Sequence, residues 1–153
     1  ERPLVPVGTT LVKAHRLFFR LAKDLAPFFY EVPRAFGAYD QLLRKLGVCD
    51  SPKPEDYAAS LVELKQEMGD AKLNANELNS AIEVINLVGE NSNSHSPMRR
   101  SVFAPNSKGV LVSTDKLLQN DCPWMVQGGR VDLSLVHLSH PKLSKDLCEQ
   151  LHI

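Results

Sequence analysis

The chain has 153 residues, 43% of them hydrophobic and 24% charged, a composition that supports a folded core without staples and excludes disorder along its whole length. Its 18 Lys and Arg balance 18 Asp and Glu, so no overall field draws in nucleic acid or an anionic membrane, and no apolar run reaches the roughly 18 residues of a spanning helix. Three cysteines, an odd number without a dense framework, point to free thiols in a reducing compartment and so to a cytoplasmic location.

Residues 1–32 mix Pro3, Pro6, Gly8 and Pro27 with many apolar side chains. Leu11-Val12 after Gly8-Thr9-Thr10 reads as a short strand, 14–25 fits helix or extended chain equally, and Pro27 and Pro33 bound an extended Phe28–Val32. From Pro33 the pattern becomes helical: Phe36, Tyr39, Leu42, Leu43 and Leu46 share a spacing that Gly47 stops. A second helix opens at Pro54 with Glu55 and Asp56 in its first turn, buries Tyr57, Leu61, Leu64 and Met68, and ends at Gly69. The third begins at Asn74 with Glu77 three residues on, a capping-box spacing, and buries Leu78, Ala81, Ile82, Ile85 and Val88 before Gly89. Short links between the three predict a small bundle.

Residues 90–97 are polar and predict an exposed loop that divides the chain. After it, the β-rich runs 101–105 and 109–112 flank Asn106-Ser107-Lys108 and predict a hairpin. Thr114 is expected to cap a turn carrying Leu117 and Leu118. Asp121-Cys122-Pro123-Trp124 reads as a turn with a large anchor, 131–138 as a strand, and Leu143, Leu147 and Leu151 as a final short helix. No repeat of fixed period stands out. The fold class that follows is α+β: about three helices in a bundle plus a small hairpin unit. The division expected is a mainly helical 1–89 with an extended start, an exposed loop at 90–100, and a β-rich 101–153 ending in a short helix.

Few residues suggest chemistry. Cys122, His137 and His140, with Cys148 and His152, carry zinc-binding atom types, but they lack the Cys-x-x-Cys spacing of a finger, so hydrogen-bonded histidines and a packed thiol account for them more simply. A thiol nucleophile at Cys122 or Cys49 needs a neighbouring histidine that spacing cannot supply. The Gly128-Gly129 pair lacks the Lys-Ser or Lys-Thr of a phosphate loop, and the acidic residues 55, 56, 63 and 67 read as a solvated helix face. Arg99-Arg100 beside Phe103 is too small a basic patch for nucleic acid. Trp124 fits either core or partner anchor. No catalytic residue and no cofactor is expected.

Several ordered segments carry a family resemblance. Phe28-Phe29-Tyr30-Glu31-Val32-Pro33, Leu46-Gly47-Val48 with Pro54-Glu55-Asp56-Tyr57, and Leu73-Asn74-Ala75-Asn76-Glu77-Leu78 look like the module that follows the ATPase-type region in sacsin-like giant proteins. The run 104–111, then Gln119-Asn120-Asp121-Cys122-Pro123-Trp124, His140-Pro141 and Leu151-His152-Ile153 resemble that family's later motifs in order. His152 departs from the pattern, which has Gly there. The resemblance implies a piece of a large chaperone-type protein of quality control, with Tyr57, Asn74, Glu77, Asn120, Asp121, Pro123 and Trp124 as structural or interaction motif residues. It implies protein partners: neighbouring ATPase-like domains, clients or co-chaperones. Beginning on Glu1 rather than Met agrees with an excised piece. The rival expectation is a small zinc- or thiol-dependent enzyme using Cys122 with His137 or His140. A further option is a peptide groove formed by the helices at 34–46, 54–68 and 75–88.

Overall fold

The computed structural model describes residues 5–90, 102–121, 137–151 and 153, and its class is α+β, with short strands paired two by two and four α-helices among the described residues. The chain parts into two compact units, 1–53 and 54–153. The loop at 90–100 was expected to mark the division, but α-helices placed before it pack with strands after it, and that packing draws the boundary back to residue 53.

The first unit starts with a hairpin of β1 (Val5–Val7) and β2 (Thr10–Val12), joined through Gly8-Thr9 with Gly8 at φ 60°. A tight two-residue turn matching the strand twist calls for positive φ at its first central residue, which Gly meets without a Cβ clash. A 3₁₀ turn, Ala14–Arg16, leads to β3 (Leu17–Phe18), which pairs in parallel with β4 (Tyr30–Glu31) and bridges to Cys49. The ambiguous stretch 14–25 therefore resolves into a 3₁₀ turn and a two-residue strand over 14–18 and irregular chain beyond. Residues Arg34–Tyr39 are 3₁₀ and only Asp40–Lys45 is α-helix, α1. The end of α1 is a Schellman motif: Val48 N–H donates to Leu43 O at 3.0 Å, Gly47 N–H to Arg44 O at 3.0 Å, and Gly47 takes φ 98°. Val5, Val12, Ala14, Leu17, Val32, Leu43 and Val48 form the core, and Phe18 meets Phe29 edge to face at 5.3 Å.

The second unit is built on a helical hairpin. Helix α2 (Pro54–Met68) ends at Gly69 with φ 58°, where Lys65 Nζ donates to Gly69 O at 2.8 Å, and α3 (Ala75–Glu90) packs along it. The capping box is complete: Glu77 N–H donates to Asn74 Oδ1 at 2.9 Å and Asn74 N–H to Glu77 Oε2 at 2.8 Å. Buried Leu61, Leu64, Ala81, Ile82, Val84, Ile85 and Val88 line the pair, so most of the apolar stripes of α2 and α3 serve the core, while Tyr57, Met68 and Leu78, expected in the buried stripes, are half-buried.

Strands β5 (Phe103–Pro105) and β6 (Leu111–Ser113) form the expected hairpin, and β5 packs on both α2 and α3. A 3₁₀ turn, Thr114–Lys116, follows; Ser113 occupies its cap position without a side-chain bond, and Thr114, expected as the cap, is buried. Leu117 and Leu118, read as a turn, are a strand, β7, paired in parallel with β8 (His137–Leu138). Helix α4 (Lys145–Leu151) closes the chain and packs on α3. Cys122, Pro123, Trp124, His152 and the first part of the strand expected at 131–138 lie outside the described residues.

Candidate functional site

The second unit brings most of the described candidate residues to the segment 137–140 and separates them there. Asn106 organises this region. It is 4% exposed, its Oδ1 accepts N–H bonds from Lys108 and Val110 at 3.0 Å each, and its amide nitrogen lies 3.4 Å from His137 Nδ1. Gly109, at φ 79°, completes the turn and accepts the Leu73 N–H at 2.9 Å, tying the link between α2 and α3 to the hairpin tip. Ser107 N–H to Leu138 O at 2.7 Å and His140 N–H to Pro105 O at 3.0 Å fix β8 beside the same turn. The local sequence dictates this shape, because an Asn side chain followed by a positive-φ Gly stands in for a backbone acceptor in a tight loop.

His137 opens on a cleft of about 680 Å³ lined by Lys65, Asp70, Phe103, Asn106, Lys108 and Lys116 among others. Asp70 accepts a 2.8 Å bond from Lys65 Nζ, which holds its carboxyl below the usual range; the charges of Lys65 and His137 add to the effect. Lys65 and Asp70 are thus paired with each other at the edge of the cleft, which otherwise presents polar and charged groups beside the β5–β6 hairpin.

His140 faces a second, smaller cleft of about 340 Å³ with Asn120, Asp121, Ser139, Leu143 and Cys148. Its Nδ1 accepts the Lys142 N–H at 3.2 Å, and burial, then the charges of Lys142 and Lys72, depress its pKa. Asn120 N–H donates to Ser139 Oγ at 3.1 Å, which ties Asn120 to the residue after β8, while Asp121 is exposed. Burial raises the Cys148 thiol, partly offset by its hydrogen bond with Ser139. Such a thiol is a packed core group.

The remaining motif residues are structural where they can be seen. Asn74 and Glu77 cap α3. Tyr57 is half-buried, its hydroxyl pKa raised by burial and then by Asp56, and its carbonyl accepts Ser60 Oγ–H at 2.8 Å. Among the described residues, Cys49 and Cys148 are free, and no group of three or more His, Cys, Asp or Glu is placed to hold a metal ion. The zinc or thiol arrangement built on Cys122 falls outside the described residues.

Sequence reasoning passed over two features. One is Arg44, whose Nη atoms meet both Asp50 carboxylate oxygens at 2.7 and 3.1 Å, whose Nε meets Asp40 at 3.3 Å, and whose guanidinium stacks 4.6 Å above Phe19. Only the Asp40/Arg44 spacing of four was legible as a helical pair. The other is the set of apolar side chains left outside: Leu11, Tyr39, Leu42, Leu46 and Leu118 are all large and exposed.

Compared with protein-family models, curated proteins and solved structures, the chain matches none. No helix among the described residues is long and apolar enough to cross a membrane.

Proposed function

We propose that this chain is a non-catalytic interaction or linker module of a larger, cytoplasmic, sacsin-like chaperone-type protein, which couples ATPase-like units or binds a client or co-chaperone. The observation that carries the reading is the run of Tyr39 at the end of the 3₁₀ segment, Leu42 in α1 and Leu46 at its C-cap, spaced by three and four residues and 55%, 54% and 42% exposed. Exposed leucines scattered singly need no explanation, whereas large apolar side chains exposed together at helical spacing are what partner-binding faces present. The ordered motifs from Phe28 to Ile153 agree with it.

The test is calorimetric titration of the chain with Mg-ATP and, separately, with zinc. The reading predicts no saturable binding of either. Tight ATP binding would place a nucleotide site in the module itself, and stoichiometric zinc would favour the Cys122, His137 and His140 enzyme instead.

A further inference from the structure

The two units contain one architecture twice. In each, a β-hairpin is followed by a 3₁₀ turn, a two-residue strand, a connection, a parallel partner strand and a short helix; the link to that helix is the six-residue 3₁₀ segment Arg34–Tyr39 in the first unit and a turn in the second. The 3₁₀ turns match in hydrogen bonding and in entry dihedrals: Leu17 N–H returns to Ala14 O as Leu117 N–H does to Thr114 O, with Lys13 at φ −68°, ψ 143° and Ser113 at φ −61°, ψ 137°. After the parallel pair, Val32 N–H donates to Phe18 O at 2.9 Å as Ser139 N–H does to Leu118 O at 2.8 Å, and Phe36 N–H to Pro33 O as Leu143 N–H does to His140 O. The helices end alike, with Val48 N–H on Leu43 O at 3.0 Å and Ile153 N–H on Cys148 O at 2.9 Å.

That last pair sets a register: Leu42 corresponds to Leu147, Leu43 to Cys148, Lys45 to Gln150 and Leu46 to Leu151. Leu43 and Cys148 are both buried, at 4% and 1%, each in its own unit. The other two leucines differ. Leu147 and Leu151 on α4 are 4% and 9% exposed, whereas Leu42 on α1 and Leu46 at its C-cap are 54% and 42% exposed. What covers α4 is α3, which approaches so closely at Gly89 that a Cβ there would stand 2.7 Å from Leu147 Cδ1 and from Gln150 Oε1.

We propose that the Leu42–Leu46 face of α1 docks an amphipathic helix, supplied by another polypeptide segment, that lies as α3 lies on α4, with a small residue at the crossing and an acidic C-terminal end. The proposal rests on the interaction-module reading and names the chemistry of its partner. Charge complementarity fixes the orientation. In the second unit Gln150 sits over Gly89, beside Glu90 at the carbonyl end of α3, where no basic residue lies in the last turn. In the first unit the same place holds Lys45, which matches the negative end of an incoming helix and an acidic residue on it. The interface joins apolar anchors to the Lys45 charge at the rim, beside Asp40, whose carboxylate Arg44 holds at 3.3 Å.

The experiment titrates the full ¹⁵N-labelled chain with a synthetic peptide of residues 73–90, the segment that performs this role for α4. Saturable amide shifts at 39–48 are expected, abolished by Leu42→Glu or Leu46→Glu and weakened about two- to fivefold at low salt by Lys45→Glu, the worth of one charge at a helix end. Circular dichroism of each variant controls for folding. The proposal is overturned if the shifts are confined to 143–153, if 39–48 does not respond, or if the α1 face proves occupied by a second copy of the chain or by the chain's own residues 54–153. Failure here with the nucleotide and zinc titrations still blank removes the docked helix and leaves the module reading standing.

Discussion

Asn106 holds the tip of the β5–β6 hairpin through two backbone N–H groups, and its side chain is almost wholly buried. Replacing it by Ala takes the shared acceptor from the N–H groups of exposed Lys108 and half-buried Val110 and empties a buried polar site, at a cost of about 1–3 kcal/mol, read as a lower urea midpoint with an unchanged slope. Glu77→Ala and Asn74→Ala each remove half of the α3 cap and should cost about 0.5–2 kcal/mol. The thiols separate by exposure: at neutral pH iodoacetamide should modify Cys49 well before Cys148, which is buried and whose pKa burial raises. Equal rates, read by peptide mass, would refute that placement. Capping residues were legible because their partners lie three positions apart. Asn106 was visible only as a turn residue, since its links to His137 and Val110 depend on the closed hairpin.

At the scale of elements, two of the three glycines expected to stop helices do so; Gly89, expected as the third stop, lies inside α3, which runs to Glu90 because close packing on α4 there needs a residue without a Cβ. Gly47 and Gly69 stop helices where they were expected to, at φ 98° and 58°. Gly109 at φ 79° is equally committed, so Gly109→Ala should lower stability by about 1–2 kcal/mol, with the Lys72 side chain, 3.4 Å from the new Cβ, giving way. The helix read from Phe36 to Leu46 is 3₁₀ through Tyr39, with Gly37 inside it, because apolar spacing alone does not distinguish a 3.0 from a 3.6 period over so few residues. Strands of two residues, β3, β4, β7 and β8, are too short to show alternation, and their parallel partners lie 13 and 20 residues away, beyond any local signal. The acid limb of stability also belongs here. Arg44 holds Asp50 below the ordinary carboxylate range, chiefly by hydrogen bonding, so the bond contributes above the unfolded value and is lost as pH falls through the lower folded one. Asp50→Asn should flatten the loss of stability of the first unit between about pH 5 and 2; a variant with an unchanged acid profile would show the pair to be idle.

Across the whole molecule, the α+β class was readable from composition and period. The boundary at residue 53 and the doubled architecture were not. The polar run at 90–97 marks a connection within one unit, because β5 and α4 return to α3, and no local composition records such a return. The two copies escaped notice because they share apolar positions more than identities: over 40–48 and 145–153 only Leu42/Leu147 and Leu46/Leu151 are the same residue. Those two pairs are where the copies diverge in environment, and they carry the claim that one face is core and its counterpart is surface. The direct measurement compares the unfolding free energies of Leu147→Ser with Leu151→Ser, and of Leu42→Ser with Leu46→Ser, each as a double variant. The first should lose at least about 2–5 kcal/mol, as buried leucines do, and the second should stay within about 0.5 kcal/mol of the parent. Comparable losses in both would mean that the α1 leucines hold the fold together, and the open face would be withdrawn.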